Sequence, residues 1–129
     1  MEIMDRSEIT QKVILCVSES LVRPAEGIQA DSSIVGQLGA DSLDFLDIMF
    51  ALERAFKISL GKEQFDLLKK VGLSREEAIQ GQFLTPAAVE RLRKILPNLP
   101  LSGDIAVQNL REYITVGTIV EIVEGLLPA

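Results

Sequence analysis

The sequence predicts an all-α fold, a helical bundle with additional helices inserted between the second helix and the last. Three observations carry this. Apolar residues recur at helical spacing in separate windows near 7–21, 42–56 and 116–127. Helix-start signals recur as well: Asp41 with Asp44, Ser74 with Glu77, and Thr85-Pro86. The chain has 129 residues, 47% hydrophobic and 25% charged, the balance of a globular chain with one core. We read 1–129 as a single domain with an inserted helical segment at 61–112.

The first helix is expected over 7–21, with Ser7 as its cap. Ile9, Val13, Cys16, Val17 and Leu21 make its apolar stripe, with Leu15 or Ile14 alongside. Pro24 disfavours helix in the residue before it and marks the exit. A long connection over 22–40 follows, pinned by Ile28, Ile34, Val35 and Leu38. The second helix spans 42–56. Phe45, Ile48, Met49, Leu52 and Phe56 share its core face. Leu43, Leu46, Asp47, Phe50, Arg54 and Lys57 lie opposite. Three large apolar residues on that face call for a partner enzyme docked there or for cover from the chain's own extra material.

In the insertion, 62–71 reads as one helix ended by Gly72, and 74–79 as a short one with Ser74 and Glu77 in a capping box. A further helix starts at Pro86 and runs to Leu96, with Val89, Leu92 and Leu96 apolar on one side and Ile95 a candidate beside them. Arg91, Arg93 and Lys94 suit the negative end of its dipole. A brief helical turn is expected over 107–113. Thr115 then caps the last helix, with Val116, Ile119, Val120, Val123 and Leu126-Leu127 inward and Glu121 and Glu124 outward. The insertion holds seven acidic and eight basic side chains, so it can lie on an acidic body without repulsion.

Composition excludes several functions. The chain has no histidine, which removes Ser-His and Cys-His catalysis and most transition-metal sites. Cys16 is the only cysteine, so it forms no internal disulfide and reads as a small core residue. No Gly-rich phosphate loop is present. An enzyme with its own active site is not expected, nor any metal. No apolar run reaches the roughly 18 residues of a membrane span. The start, Met1-Glu2-Ile3-Met4-Asp5, lacks the order of a signal peptide, so a cytoplasmic protein without membrane insertion is expected. Net charge is −6, and residues 1–60 hold ten acidic against five basic side chains. That field disfavours nucleic acid and favours partners with basic patches. A merely solvated acidic face is the bland alternative.

The densest signal is Gly39-Ala40-Asp41-Ser42-Leu43-Asp44. Gly39 permits a left-handed turn. Asp41 and Asp44 cap a helix start, leaving the Ser42 hydroxyl at the first helical position, beside free amides and the positive end of the dipole. An attached phosphate would sit well there. Asp-Ser as a plain helix cap competes with this reading on those six residues.

The segment Asp41-Ser42-Leu43-Asp44-Phe45-Leu46-Asp47-Ile48-Met49-Phe50-Ala51-Leu52-Glu53, followed by Phe56 and Ile58, closely resembles the phosphopantetheine attachment segment of acyl carrier proteins. The loop Asp31-Ser32-Ser33-Ile34-Val35-Gly36-Gln37-Leu38-Gly39 resembles the loop before that segment, except for Gln37, where an acid is common. Tyr113-Ile114-Thr115-Val116-Gly117-Thr118-Ile119-Val120 looks like the family's last helix. The resemblance covers 7–60 and 113–125. It implies an acyl-carrier-like four-helix bundle, with the insertion unmatched to a minimal carrier and similar to specialised members with an extended region between helices II and III.

The resemblance further implies covalent 4′-phosphopantetheine on Ser42, next to Asp41, and partner docking through Leu43, Asp44, Asp47 and Glu53, to which the apolar face of the second helix adds Leu46 and Phe50. Implied partners are a phosphopantetheinyl transferase and acyl-transfer, ligase or synthase enzymes with basic docking patches. The carrier would be monomeric and would serve fatty acid or specialised lipid biosynthesis. Arg54 and Lys57 depart from the more uniformly acidic helix of common bacterial members, which bears on partner choice. A carrier of polyketide or aminoacyl units and an unmodified helical interaction module are the alternatives.

Overall fold

In the computed structural model residues 5–127 are described; they form six α-helices and one small hairpin. The helices are α1 (Arg6–Leu21), α2 (Ser42–Phe56), α3 (Leu67–Lys70), α4 (Arg75–Ala78), α5 (Pro86–Ile95) and α6 (Val116–Leu126). The hairpin pairs β1 (Ile79–Gln80) with β2 (Phe83–Leu84) antiparallel, with Ile79 opposite Leu84. Tight 3₁₀ turns cover Ala25–Gly27, Lys62–Phe65 and Val107–Tyr113. The acidic start read over residues 1–4 lies outside the described residues.

The expected all-α class holds, and α1 packs on both α2 and α6. The core face of α2 is the expected one: Phe45, Ile48, Met49, Leu52 and Phe56 are buried. Helix α1 buries Ile9, Val13, Ile14, Cys16 and Val17, and leaves Leu15 exposed. Its cap is Asp5, whose carboxylate accepts from the Glu8 amide at 2.8 Å, not Ser7. Ser7 falls inside the first turn because the helix starts one residue earlier, at Arg6.

The insertion departs most from the sequence reading. The single helix expected over 62–71 is broken at Asp66. That carboxylate accepts from the Lys69 amide and starts α3 anew, so the segment becomes a 3₁₀ turn and one short helix. Ser74 and Glu77 form the expected capping box of α4. The strands after it were not expected. They tie back further, with the Leu84 amide donating to the Ile105 carbonyl and the Val107 amide to that of Gln82. Thr85 caps α5 ahead of Pro86, and Leu92 and Leu96 are buried while Ile95 is half exposed.

These apolar residues do not form a separate patch. Leu67, Leu92 and Ile105 belong to one buried cluster with Val13, Ile48 and Val120. Phe65 meets Phe45 edge-on, ring centroids 6.1 Å apart. Asn98 reaches the bundle through its amide, which donates to Glu121 Oε1 at 3.0 Å. Glu121 therefore does not face out as expected. Arg6 also lies 3.8 Å from it, and only Glu124 keeps a more open position, 2.9 Å from Arg6.

The last helix starts as expected. Thr115 and Thr118 exchange backbone and side-chain bonds in a capping box. The loop ahead of α2 is stitched to this end of the chain. Ser33 Oγ donates to the Glu112 carbonyl, the Ile34 amide to Ile114, Val116 to Ser32 and Gly117 to Ala30. A Cβ on Gly117 would stand 3.2 Å from the Ala30 carbonyl oxygen and 3.3 Å from the Asn98 side chain, so a larger residue would have to push the loop or Asn98 away by a few tenths of an ångström.

Candidate functional site at the start of helix α2

Local chemistry builds the corner that holds Ser42. Gly39 takes φ +73°, the left-handed turn its lack of a side chain allows. The Ala40 amide donates to the Ile34 carbonyl and fixes the approach. Asp41 then stands in extended backbone as the cap. Its Oδ1 accepts from the Asp44 amide at 2.9 Å, and Asp44 Oδ2 accepts from the Asp41 amide at 3.0 Å. This double exchange places Ser42 at the first helical residue, exposed to solvent. The amides of Ser42 and Leu43 find no acceptor among the described residues. They point out of the helix at its positive end.

One neighbour was not foreseen. Arg111, in the 3₁₀ turn Val107–Tyr113, donates from Nη1 to Ser42 Oγ at 3.3 Å. Its guanidinium carbon sits 5.5 Å from the Phe45 ring centroid. The two residues are 69 positions apart, and no local pattern in the sequence links them.

Beside Ser42 an open cleft of about 1090 Å³ separates the start of α2 from the insertion. Phe45, Leu46 and Met49 form one wall, Phe65 and Leu68 another, and Val107 and Leu110 a third. The expected docking residues divide between two settings. Leu43 is 74% exposed and Phe50 50% exposed, so the insertion covers neither. Asp47 is exposed, Asp44 is half-buried in the cap, and Leu46 is half-buried at the cleft. Glu53 has a structural bond: its Oε2 accepts from the Leu60 amide at 2.8 Å, closing the turn after α2.

Comparison with known proteins decides the family. The family model described as "Phosphopantetheine attachment site" matches residues 11–72. The acyl carrier protein of Prochlorococcus marinus (strain MIT 9515) is 41% identical over 69 residues, 54% of this chain and 86% of that protein. That of Amoebophilus asiaticus (strain 5a2) is 39% identical over 67 residues, 51% of this chain and 82% of its own. The acyl carrier protein of Borreliella burgdorferi (strain ZS7) is 36% identical over 69 residues.

The chain belongs to the acyl carrier protein family. No solved structure matches it. Membership brings with it a covalently attached 4′-phosphopantetheine. The corner of α2 fits such a group: an exposed hydroxyl, two free amides at a helix start and a guanidinium within hydrogen-bond reach all suit a phosphodiester. Among the described residues no His/Cys/Asp/Glu cluster could hold a metal ion. Among the described residues no helix is long and apolar enough to cross a membrane.

Proposed function

We propose that this carrier bears its 4′-phosphopantetheine on Ser42 and holds acyl chains on it as thioesters for fatty acid or specialised lipid biosynthesis. The observation that supports this best is the exposed Ser42 hydroxyl held at the first residue of α2 by the Asp41–Asp44 box. The bound group supplies a terminal thiol on a long flexible tether, which raises the effective concentration of cargo at each docked enzyme.

This chain's own residues present and orient; they do not catalyse. Among the described residues, the side chain hydrogen-bonded to the Ser42 hydroxyl is Arg111, a donor and not a base. The guanidinium beside that hydroxyl only donates. A phosphopantetheinyl transferase must therefore take the Ser42 proton. The serine oxygen bonds to the β-phosphorus of coenzyme A, the pyrophosphate linkage breaks, and adenosine 3′,5′-bisphosphate leaves. Leu43 and Phe50 offer apolar anchors on the exposed face of α2, with Leu46 half-buried at the cleft beside it and Asp44 and Asp47 as the charges. Partners with basic patches, the transferase and acyl-transfer, ligase or synthase enzymes among them, would read this face. Glu53 contributes less to docking, since its carboxylate is engaged by Leu60. We read the chain as a monomeric cytoplasmic carrier without catalytic activity, with 61–112 folded into the same domain.

Incubation with coenzyme A and a transferase of broad specificity tests the reading. Intact mass should rise by one phosphopantetheine, and Ser42→Ala should abolish the rise. A folded wild-type protein that stays unmodified refutes it. Mass spectrometry of the protein from its native host separates acyl from polyketide or aminoacyl cargo.

A further inference from the structure

We propose that Arg111 is the binding residue for the arm's phosphate, a cation supplied by the far side of the insertion to the phosphodiester on Ser42. The inference rests on Ser42 being the attachment residue and adds to it a partner for the charge that attachment creates.

Attachment places one negative charge at Ser42, in an acidic setting. Asp41 and Asp44 are in the adjoining cap, and Glu63, Asp66 and Glu112 line the same cleft. The two free amides of α2 offset part of that repulsion. Arg111 offers a full charge. Its Nη1 lies 3.3 Å from the oxygen that would carry the phosphorus, so the phosphate's free oxygens fall within the reach of a guanidinium fork.

Arg111 is also held for this purpose. No carboxylate among the described residues lies at ion-pair distance from it. Its guanidinium rests against the Phe45 ring, which Phe65 backs edge-on. Its backbone is fixed on both sides. The Arg111 carbonyl accepts from the Ile114 amide, and the neighbouring Glu112 carbonyl accepts from Ser33 Oγ at 3.0 Å. Leu110 beside it is buried. An otherwise unpaired cation, anchored in place and bonded to a neutral hydroxyl, is poised for an anion at that oxygen. Because Arg111 belongs to the cleft wall, the held phosphate starts the arm on the cleft side of α2.

The test uses loaded protein, with loading verified by intact mass. Nuclear magnetic resonance would follow the Arg111 Nε–Hε signal and the arm's ³¹P line. The Arg111 signal should shift between unloaded and loaded wild type. The ³¹P line should coincide in wild type and Arg54→Ala, a distant exposed arginine on α2, move in Arg111→Ala, and return part-way in Arg111→Lys. Lysine keeps the charge without the planar fork, a rescue that a purely structural role would not produce. Should Arg111→Ala fail to fold, the wild-type shift decides alone. Full loading with an unshifted Arg111 signal overturns this proposal and leaves the attachment reading standing. Absence of loading on Ser42 overturns both.

Discussion

Replacing Asp41 by Ala removes the acceptor that holds the first turn of α2. The Asp44 amide, bonded at 2.9 Å in the native chain, loses its partner, while the Asp44 carboxylate still accepts from the backbone amide at position 41. Half the box is lost. Loss of an N-cap of this kind costs about 1 kcal/mol, within a range of roughly 0.5–2. For a chain of this length that lowers the melting temperature by about 3–5 °C. Asp41→Asn keeps an acceptor in the same place and removes the charge, so it should recover most of the loss. Thermal unfolding of the three proteins measures the stability term. Loading of Ser42, followed by intact mass under limiting transferase, measures the functional term. The rate should drop by at most about fivefold, the equivalent of ~1 kcal/mol. An Asp41→Ala protein that melts with wild type and loads at the same rate would refute the claim that this cap holds the hydroxyl in place.

Two further outcomes follow from burial. Cys16 is 6% exposed, and burial, with Glu19 adding to it, raises its thiol pKa. Since the thiolate is the reactive form, a thiol reagent at neutral pH should find no fast-reacting group in folded unloaded protein and one in loaded protein, with Cys16 reacting only on unfolding; a fast Cys16 in the folded unloaded chain contradicts this. Leu92→Ala in the insertion removes a side chain with no exposure and should cost about 2–5 kcal/mol in a single denaturant transition shared with the bundle. Two separate transitions, with the bundle's unmoved, would show that the insertion folds apart.

The features legible in the sequence are those written by neighbouring residues. The Asp41–Asp44 and Ser74–Glu77 boxes, the Thr85-Pro86 start and the core face of α2 each depend on side chains within one or two helical turns. The periodicity of α2 is unbroken, so its span, Ser42–Phe56, came out as expected. One miss is local, the Asp66 cap with its bond to the Lys69 amide three residues on, and most of the others are tertiary. Asp66 sits where a continued helix needs only an ordinary polar residue, yet it caps a new one. The two-residue strands at Ile79–Gln80 and Phe83–Leu84 are too short for alternation to show, and they gain support from Ile105 and Ala106. Glu121 looked like a solvated acid until Asn98 crossed over it. Arg111 is the extreme case, a long-range neighbour that no spacing rule could place beside Ser42.

The stitching of residues 30–34 to residues 112–117 has a consequence for how the protein is made. A ribosome adding roughly 5–20 residues per second delivers the serine and its helix several seconds before the segment that fastens the loop in front of them. Until that segment emerges, the corner lacks both its backbone anchors and its guanidinium neighbour. The nascent chain therefore offers a modifying enzyme only a loosely held acceptor, and emergence of residues 112–117 from the ribosome is the step that completes the landing place.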